Sequence, residues 1–156
     1  MQFFKIMMND PPLVLSPDPA SPIDGGLQAV TNDPNNLLQH WCLPYCPTTQ
    51  NQEYGFAIMN RITGQIIQAS SDNKNSAVEL VDYPGAENLT NLNTWTIQES
   101  SNVGGCYFAI RPSADSDLNL NAKGSTWPSG TSIILYPWDG SKNNMSWQFS
   151  PVASYF

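Results

Sequence analysis

A motif of phenylalanine and isoleucine recurs three times in this chain at a constant interval, and it restricts the possible folds more than any other feature. The Phe-x-Ile motif begins at Phe4, Phe56 and Phe108, so successive copies are 52 residues apart. A tryptophan closes each stretch with nearly the same spacing, at Trp41, Trp95 and Trp147. Self-similarity at a fixed period of this length indicates that the fold consists of three copies of one structural unit.

Each copy also contains short apolar runs that are typical of β-strands. The first run after the motif contains Val14 and Leu15, Ile66 and Ile67, or Leu118 and Leu120. The next run alternates, with Leu27 and Ala29, Val78 and Leu80, or Ile133 and Leu135. The chain has 13 Pro and 10 Gly, and no window of a dozen residues keeps a helical apolar stripe free of both. Four strands in each unit therefore predict twelve in all.

Three four-stranded units cannot each bury a core alone, but around a threefold axis they can close a six-stranded barrel capped by three hairpins. We therefore predict an all-β fold, a β-trefoil, formed by one domain over residues 1–156. The units cover about residues 1–52, 53–103 and 104–156. Trp41, Trp95 and Trp147 are predicted to be buried in the barrel.

The charge balance excludes several classes of partner. Charged residues make up 12% of the chain, and 6 Lys and Arg against 13 Asp and Glu give a net charge of −7. Binding to nucleic acid or to an anionic membrane surface needs clustered cations, so neither is expected. No run approaches the ~20 apolar residues of a membrane span. Because Lys5 interrupts the short apolar N-terminal stretch, we expect a cytoplasmic protein, or one secreted without a recognisable signal peptide.

The ends of the units carry a recognisable signature. The first unit ends in Gln39-His40-Trp41, with weaker versions at Asn93-Thr94-Trp95 and Met145-Ser146-Trp147. This pattern resembles the Gln-x-Trp signature of the ricin B-chain-like β-trefoil lectin superfamily. Within that superfamily, residues 55–64, 119–122 and 130–138 resemble the Euonymus-type lectin domain of plants. The resemblance implies a carbohydrate-binding protein with no catalytic step and no cofactor.

A sugar site needs an aromatic ring to cover C–H groups and amides or carboxylates to bond hydroxyls. In the lectins that this chain resembles, the polar residue follows the second strand of a unit and the aromatic follows the third. The resemblance therefore assigns the third-unit site to Asn121, Trp138, Asp139, Asn143 and Asn144. The superfamily usually has Asp where Asn121 stands, and Asp139 could supply the missing carboxylate. Trp138 is predicted to be substantially exposed.

The other two units offer less complete sites. The weaker second-unit site consists of Gln68, Tyr83, Asn91 and Asn93. The first unit has Ser16 and Asn32 but no aromatic at the stacking position, so we expect it not to bind. Trp127 matches no core position of the repeat. It is either a second wall of the third-unit site or a lid that packs on the barrel.

The single histidine and the three cysteines raise the alternatives of a zinc site and a disulfide. His40, Cys42, Cys46 and Cys106 are residue types that bind zinc, but Cys-x₃-Cys is not its common spacing. We expect reduced cysteines and no metal, with a Cys42–Cys46 disulfide as the alternative. No nucleophile motif is present, so we expect no enzyme activity.

The residues favour a lectin for neutral hexose-containing glycans that needs no metal and gains avidity from two sites or self-association into a homo-oligomer. The net charge disfavours sulfated or sialylated ligands unless Lys123 and Lys142 flank the site. The alternative is a protein-binding trefoil such as a protease inhibitor, whose reactive loop would be residues 17–26 or 44–52.

Overall fold

Twelve antiparallel β-strands make up most of the regular structure. The computed structural model describes residues 1–22, 25–44, 55–99, 107–114, 117–138 and 143–153. Within these residues the strands are β1 (Phe4–Met8), β2 (Val14–Pro17), β3 (Leu27–Val30), β4 (Trp41–Cys42), β5 (Met59–Asn60), β6 (Ile66–Ala69), β7 (Val78–Val81), β8 (Trp95–Glu99), β9 (Phe108–Pro112), β10 (Leu118–Ala122), β11 (Thr131–Pro137) and β12 (Trp147–Pro151). Short 3₁₀ turns cover Leu37–Gln39, Ala86–Asn88 and Asn143–Met145.

Six of these strands close into a barrel. Strand β1 pairs with β12 and β4, β4 pairs with β5, and β9 pairs with both β8 and β12. Phe56, just before β5, completes the circle by exchanging two backbone hydrogen bonds of 2.9 Å with Trp95 at the start of β8. Closure removes the open sheet edges that would otherwise invite pairing with another chain.

The remaining six strands form three hairpins, β2–β3, β6–β7 and β10–β11. Each hairpin pairs with the next one. The contacts are Gly26 with Glu79, Ala77 with Ile134, and Ser132 with Gln28. A closed six-stranded barrel with three mutually paired hairpins is a β-trefoil, which confirms the predicted fold.

The core is built from equivalent side chains of the three units. Among its fully buried members are Ile6, Ile58 and Ile110, then Leu15, Ile67 and Leu120. The three repeated tryptophans are also 0% exposed, as predicted. Each indole Nε1 donates to a carbonyl of the second strand of its unit: Trp41 to Leu15 at 3.0 Å, Trp95 to Ile67 at 3.1 Å and Trp147 to Leu120 at 2.9 Å. The residue after each acceptor is therefore equivalent in the three units, namely Ser16, Gln68 and Asn121.

Several sequence predictions fall outside the described residues. These are the unit boundaries near 52 and 104, most of the loop 44–52, Cys46 and Cys106. Cys42 is described and is a buried free thiol whose pKa is raised by desolvation. No helix of the described ranges is long and apolar enough to cross a membrane.

Candidate functional site

An open pocket of about 450 Å³ lies beside the β10–β11 hairpin of the third unit. Its walls come from β10, β11, the loop between them, the 3₁₀ turn before β12, and a loop of the second unit. The lining residues are Asn75, Asn121, Lys123, Gly124, Ser125, Ile134, Tyr136, Asn144 and Met145. Two of the predicted site residues, Asn121 and Asn144, thus meet at one pocket, which we call the third-unit pocket.

Asn121 and Asn144 form a fixed amide pair in the wall of this pocket. Both side chains are 3% exposed, and the Asn144 Nδ2 donates to Asn121 Oδ1 and to the carbonyl of Ala122, both at 2.9 Å. The Asn144 Oδ1 has no hydrogen-bond partner among the described residues. This oxygen is itself buried and not accessible to a ligand in this arrangement, and a buried acceptor without a partner costs about 1–3 kcal/mol. The group of the pair that is left to bond a ligand is the Nδ2 donor of Asn121.

Asn119 holds the turn that carries Asn144. Its side chain is fully buried, and its Nδ2 donates to the carbonyls of Leu120 at 2.9 Å and Met145 at 3.0 Å. The second bond fastens the 3₁₀ turn to β10. Asn119 is therefore a positioning residue that the sequence analysis did not identify.

The aromatic side chain of the pocket is Tyr136, not Trp138. Tyr136 pairs with Asn119 across the hairpin, and facing residues of an antiparallel pair lie on the same side of the sheet. Its ring is therefore on the side of the amide pair and is 37% exposed. The sequence already indicated that the Tyr136 side chain points away from the core. Because Ile133 and Leu135 alternate into the core, Tyr136 had to face outward.

Tyr136 has no aromatic equivalent in the other units. The hairpin registers align it with Val81 of β7 and Val30 of β3, which pair with Ile66 and Val14. A stacking ring at this register position therefore occurs only in the third unit. This explains why the third-unit pocket is the most complete candidate site.

Trp138 lies just beyond β11 and does not line the third-unit pocket. The expectation that it is substantially exposed is wrong, because it is half-buried. Its backbone N–H donates to the carbonyl of Asp117 at 2.9 Å, and the Arg111 guanidinium lies 5.6 Å from the centroid of its ring. Desolvation lowers the pKa of Arg111, and Asp117 opposes that shift.

Of the two remaining third-unit candidates, Asn143 does not line the pocket. Asn143 is half-buried, and its carbonyl accepts from the N–H of Ser146 at 3.4 Å to close the 3₁₀ turn. Asp139 lies outside the described residues, as does Lys142.

Trp127 acts as a packing lid. It is half-buried against the hydrophobic core and is not one of the lining residues of the pocket. Its Nε1 donates to the carbonyl of Gly124 at 3.0 Å. Gly124 does line the pocket and has a φ of +92°, a conformation that favours glycine. The hydrogen bond from Trp127 to Gly124 thus helps to fix the conformation of the loop that lines the pocket.

The second-unit candidates meet only in part. The Asn93 Nδ2 donates to Gln68 Oε1 at 3.1 Å, so these two side chains form an amide pair of their own. Tyr83 is half-buried, and Asn91 is exposed, with its carbonyl accepting from the N–H of Ala114 at 2.9 Å. With Val81 at the register position of Tyr136, this unit lacks the ring of the third-unit pocket.

The first-unit polar residues make internal contacts. Ser16 is buried, and its hydroxyl donates to the carbonyl of Pro17 at 2.9 Å. Asn32 accepts from Lys5 Nζ at 2.5 Å.

His40 lies in a cationic environment that does not suit a metal. Its Nδ1 is 3.2 Å from an Arg61 guanidinium nitrogen, which can only donate, so Nδ1 is the acceptor. The Nε2 is buried and has no hydrogen-bond partner among the described residues. Desolvation, and then the charges of Lys5 and Arg61, lower the pKa of His40 from 6.5. Within the described ranges no three His, Cys, Asp or Glu side chains are grouped so as to hold a metal ion.

We expect the fold to lose stability as the pH falls below 6.5, the ordinary pKa of histidine. Below that value the unfolded state binds a proton that neutral, buried His40 resists, so the free energy of unfolding decreases until the lower native pKa is reached. His40 is the single histidine of the chain, so its ring protons can be followed by NMR without assignment. The titration midpoint should lie below 6.5, and the stability loss between pH 7 and 5 should be smaller in His40→Gln. A midpoint at or above 6.5 would contradict this.

The sequence of this chain matches a known protein family. Residues 38–136 match the family described as Ricin-type beta-trefoil lectin domain-like. Comparison with curated protein sequences gives no match.

Solved structures of similar fold include natural lectins and a designed protein. The designed threefold-symmetric protein ThreeFoil is 16% identical, with a TM-score of 0.74 over 95% of this chain and 97% of that one. The Macrolepiota procera ricin B-like lectin, solved with lactose, is 15% identical, with a TM-score of 0.72 over 96% and 94% of the two chains. The Rhizoctonia solani agglutinin is 16% identical, with a TM-score of 0.72 over 95% and 93%.

Identities this low establish the fold alone, whereas the family match concerns the sequence itself. That match covers residues 38–136, well over half of the 156-residue chain. It agrees with the closed barrel, the buried tryptophans and the polar pocket beside the third hairpin. The chain belongs to the ricin-type β-trefoil lectin domain-like family.

Proposed function

We propose that this protein is a non-catalytic lectin that binds neutral hexose-containing glycans in the third-unit pocket without a metal ion. The family supports a carbohydrate-binding role. The observation that carries the proposal is the meeting of the Asn121–Asn144 amide pair and the exposed Tyr136 ring in one pocket.

The pocket offers the two kinds of contact that a hexose needs. The Tyr136 ring can cover the C–H face of a pyranose, and the Asn121 amide of the pair can bond a hydroxyl. Because Asn144 is held by two hydrogen bonds, little side-chain entropy is lost when a sugar binds. Neutral amides match neutral hydroxyls, so no ion is required between them.

Each single site should be weak. A solvated sugar already bonds to water, and the net gain of one hydrogen bond is only about 0.5–1.5 kcal/mol. Useful avidity then requires a second site, for which the Gln68–Asn93 pair is the candidate, or self-association of the chain.

Calorimetry with galactose, mannose and their oligosaccharides tests the proposal. We expect weak binding to at least one of these sugars and an unchanged isotherm in EDTA. Binding that EDTA abolishes and calcium or zinc restores would contradict metal independence. If no neutral glycan binds, the proposed function is wrong, and a protease panel then tests the alternative of an inhibitor.

Three alanine variants at equivalent positions measure the contribution of each unit to binding. Asn121→Ala should weaken binding about threefold to tenfold, because it removes one hydrogen-bonding group of the pocket. Ser16→Ala, at the same position in the first unit, is the matched control and should leave binding unchanged. Gln68→Ala measures how much the second unit contributes. Equal losses in Asn121→Ala and Ser16→Ala would argue against the third-unit pocket.

A further inference from the structure

We propose that the third-unit pocket prefers hexoses that carry an anionic substituent, a sulfate or a carboxylate, over the same hexoses without it. This inference rests on the proposed sugar site and specifies the charge of its ligand. Two lysines lie at this pocket. Lys123 is one of the lining residues, and the Lys74 Nζ lies 4.7 Å from the centroid of the Tyr136 ring.

The charge at this pocket is opposite in sign to the net charge of the chain. The protein has a net charge of −7 and only six Lys and Arg, yet two of the six are at this one place. Among the described residues that line the pocket there is no Asp or Glu. The contact of Lys74 with a ring face leaves its ammonium charge in place, since an aromatic ring attracts a cation without neutralising it. A locally positive pocket favours anions at that pocket even when the net charge of the protein is negative.

The two lysines come from different walls that the backbone holds in place. Lys123 follows β10, and its N–H donates to the carbonyl of Ser132 across the hairpin at 2.9 Å. Lys74 belongs to the second unit. The loop after it is fixed to β11, because the Asn75 N–H donates to the Leu135 carbonyl at 2.8 Å and the Leu135 N–H donates to the Ser76 carbonyl at 3.0 Å. An anionic group above the amide pair would therefore meet ammonium groups from two elements.

The amide pair and the lysines would recognise different parts of the ligand. The amides and the Tyr136 ring suit the neutral pyranose, but they cannot neutralise an added charge. Lys74 and Lys123 can do so, and both are exposed, so each contributes the modest, salt-dependent gain of a surface ion pair. Two such pairs give about twofold to thirtyfold tighter binding at low salt.

Lys74 should act in opposite directions on the two ligand classes. Its ammonium occupies a face of the Tyr136 ring, where it competes with the C–H face of a neutral sugar. An anionic substituent draws the ammonium to itself instead. Lys74→Gln should therefore weaken the binding of anionic hexoses and leave neutral hexoses unaffected or bound more tightly.

The test is calorimetry at low and at high salt with galactose, galactose 6-sulfate and galacturonic acid, and with the corresponding mannose series. The sulfate and the uronic acid distinguish the two anionic groups. The variants are Lys74→Gln, Lys123→Gln and, as a control with the same change of charge, Arg61→Gln. Arg61 packs on Phe3 and His40 and is not a lining residue of the pocket. Thermal melts check that each variant is folded.

We expect an anionic sugar to bind more tightly than its neutral parent, with the advantage reduced at high salt and in both lysine variants but kept in Arg61→Gln. Equal or weaker binding of both anionic forms, while the neutral sugars bind, overturns the inference and leaves the proposed function standing. Binding of the anionic forms alone supports the inference and overturns the proposed binding of neutral hexoses. An advantage that Arg61→Gln also removes assigns the effect to net charge and contradicts it. If no sugar binds, the inference fails together with the proposed function.

Discussion

Trp147→Ala is expected to lower the free energy of unfolding by about 3–5 kcal/mol. The side chain is 0% exposed, lies in the central cluster and donates from Nε1 to the Leu120 carbonyl at 2.9 Å. The substitution leaves a cavity in the core and removes the indole hydrogen bond to that carbonyl, which keeps its bond from Asn119 Nδ2. Chemical denaturation followed by fluorescence or circular dichroism measures the loss.

Two variants show whether burial or the hydrogen bond causes that loss. Trp147→Phe keeps most of the ring volume but removes the Nε1 donor, so its cost should be intermediate. Trp138→Ala removes an indole of the same size that is only half-buried, and it should cost about 1 kcal/mol. Losses of similar size in Trp147→Ala and Trp138→Ala would contradict the barrel core as described.

Tyr136→Ala is expected to weaken glycan binding about tenfold or more while leaving the fold intact. Burial of an aromatic face under a sugar is worth more than the 1.4 kcal/mol that corresponds to a factor of ten. The ring is 37% exposed on the outer side of the hairpin, so its removal opens no core cavity. Calorimetry with the best-binding sugar, together with a thermal melt, measures both quantities.

The controls for this variant distinguish the two candidate aromatics. Tyr136→Phe keeps the ring and should retain most of the affinity. Trp138→Ala should retain it as well, because Trp138 is outside the pocket lining and lies beside Arg111. If Trp138→Ala abolished binding and Tyr136→Ala did not, the aromatic predicted from the sequence would be the functional one, and the pocket described above would not be the sugar site.

The trefoil itself could be predicted from the sequence because its determinants are local and repeated. The 52-residue spacing of Phe-x-Ile and the recurring tryptophans mark equivalent positions. Alternation within short strands sets which side chains enter the core. The family resemblance, and not the spacing, pointed to Asn121, Gln68 and Ser16, and the three indole hydrogen bonds show that these positions are equivalent.

The sequence by itself determined the repeat, the strand pattern and the buried tryptophans, since each depends on spacing along the chain. Only the tertiary structure decided which side chains share the pocket. Trp138 lies one residue past the end of β11, where strand alternation no longer sets the direction of a side chain, so the ring beside the amide pair is Tyr136. Lys74 reaches that ring from the second unit, 62 positions earlier in the chain. No local pattern records such a contact, because it exists only where the hairpins of different units pair around the threefold axis.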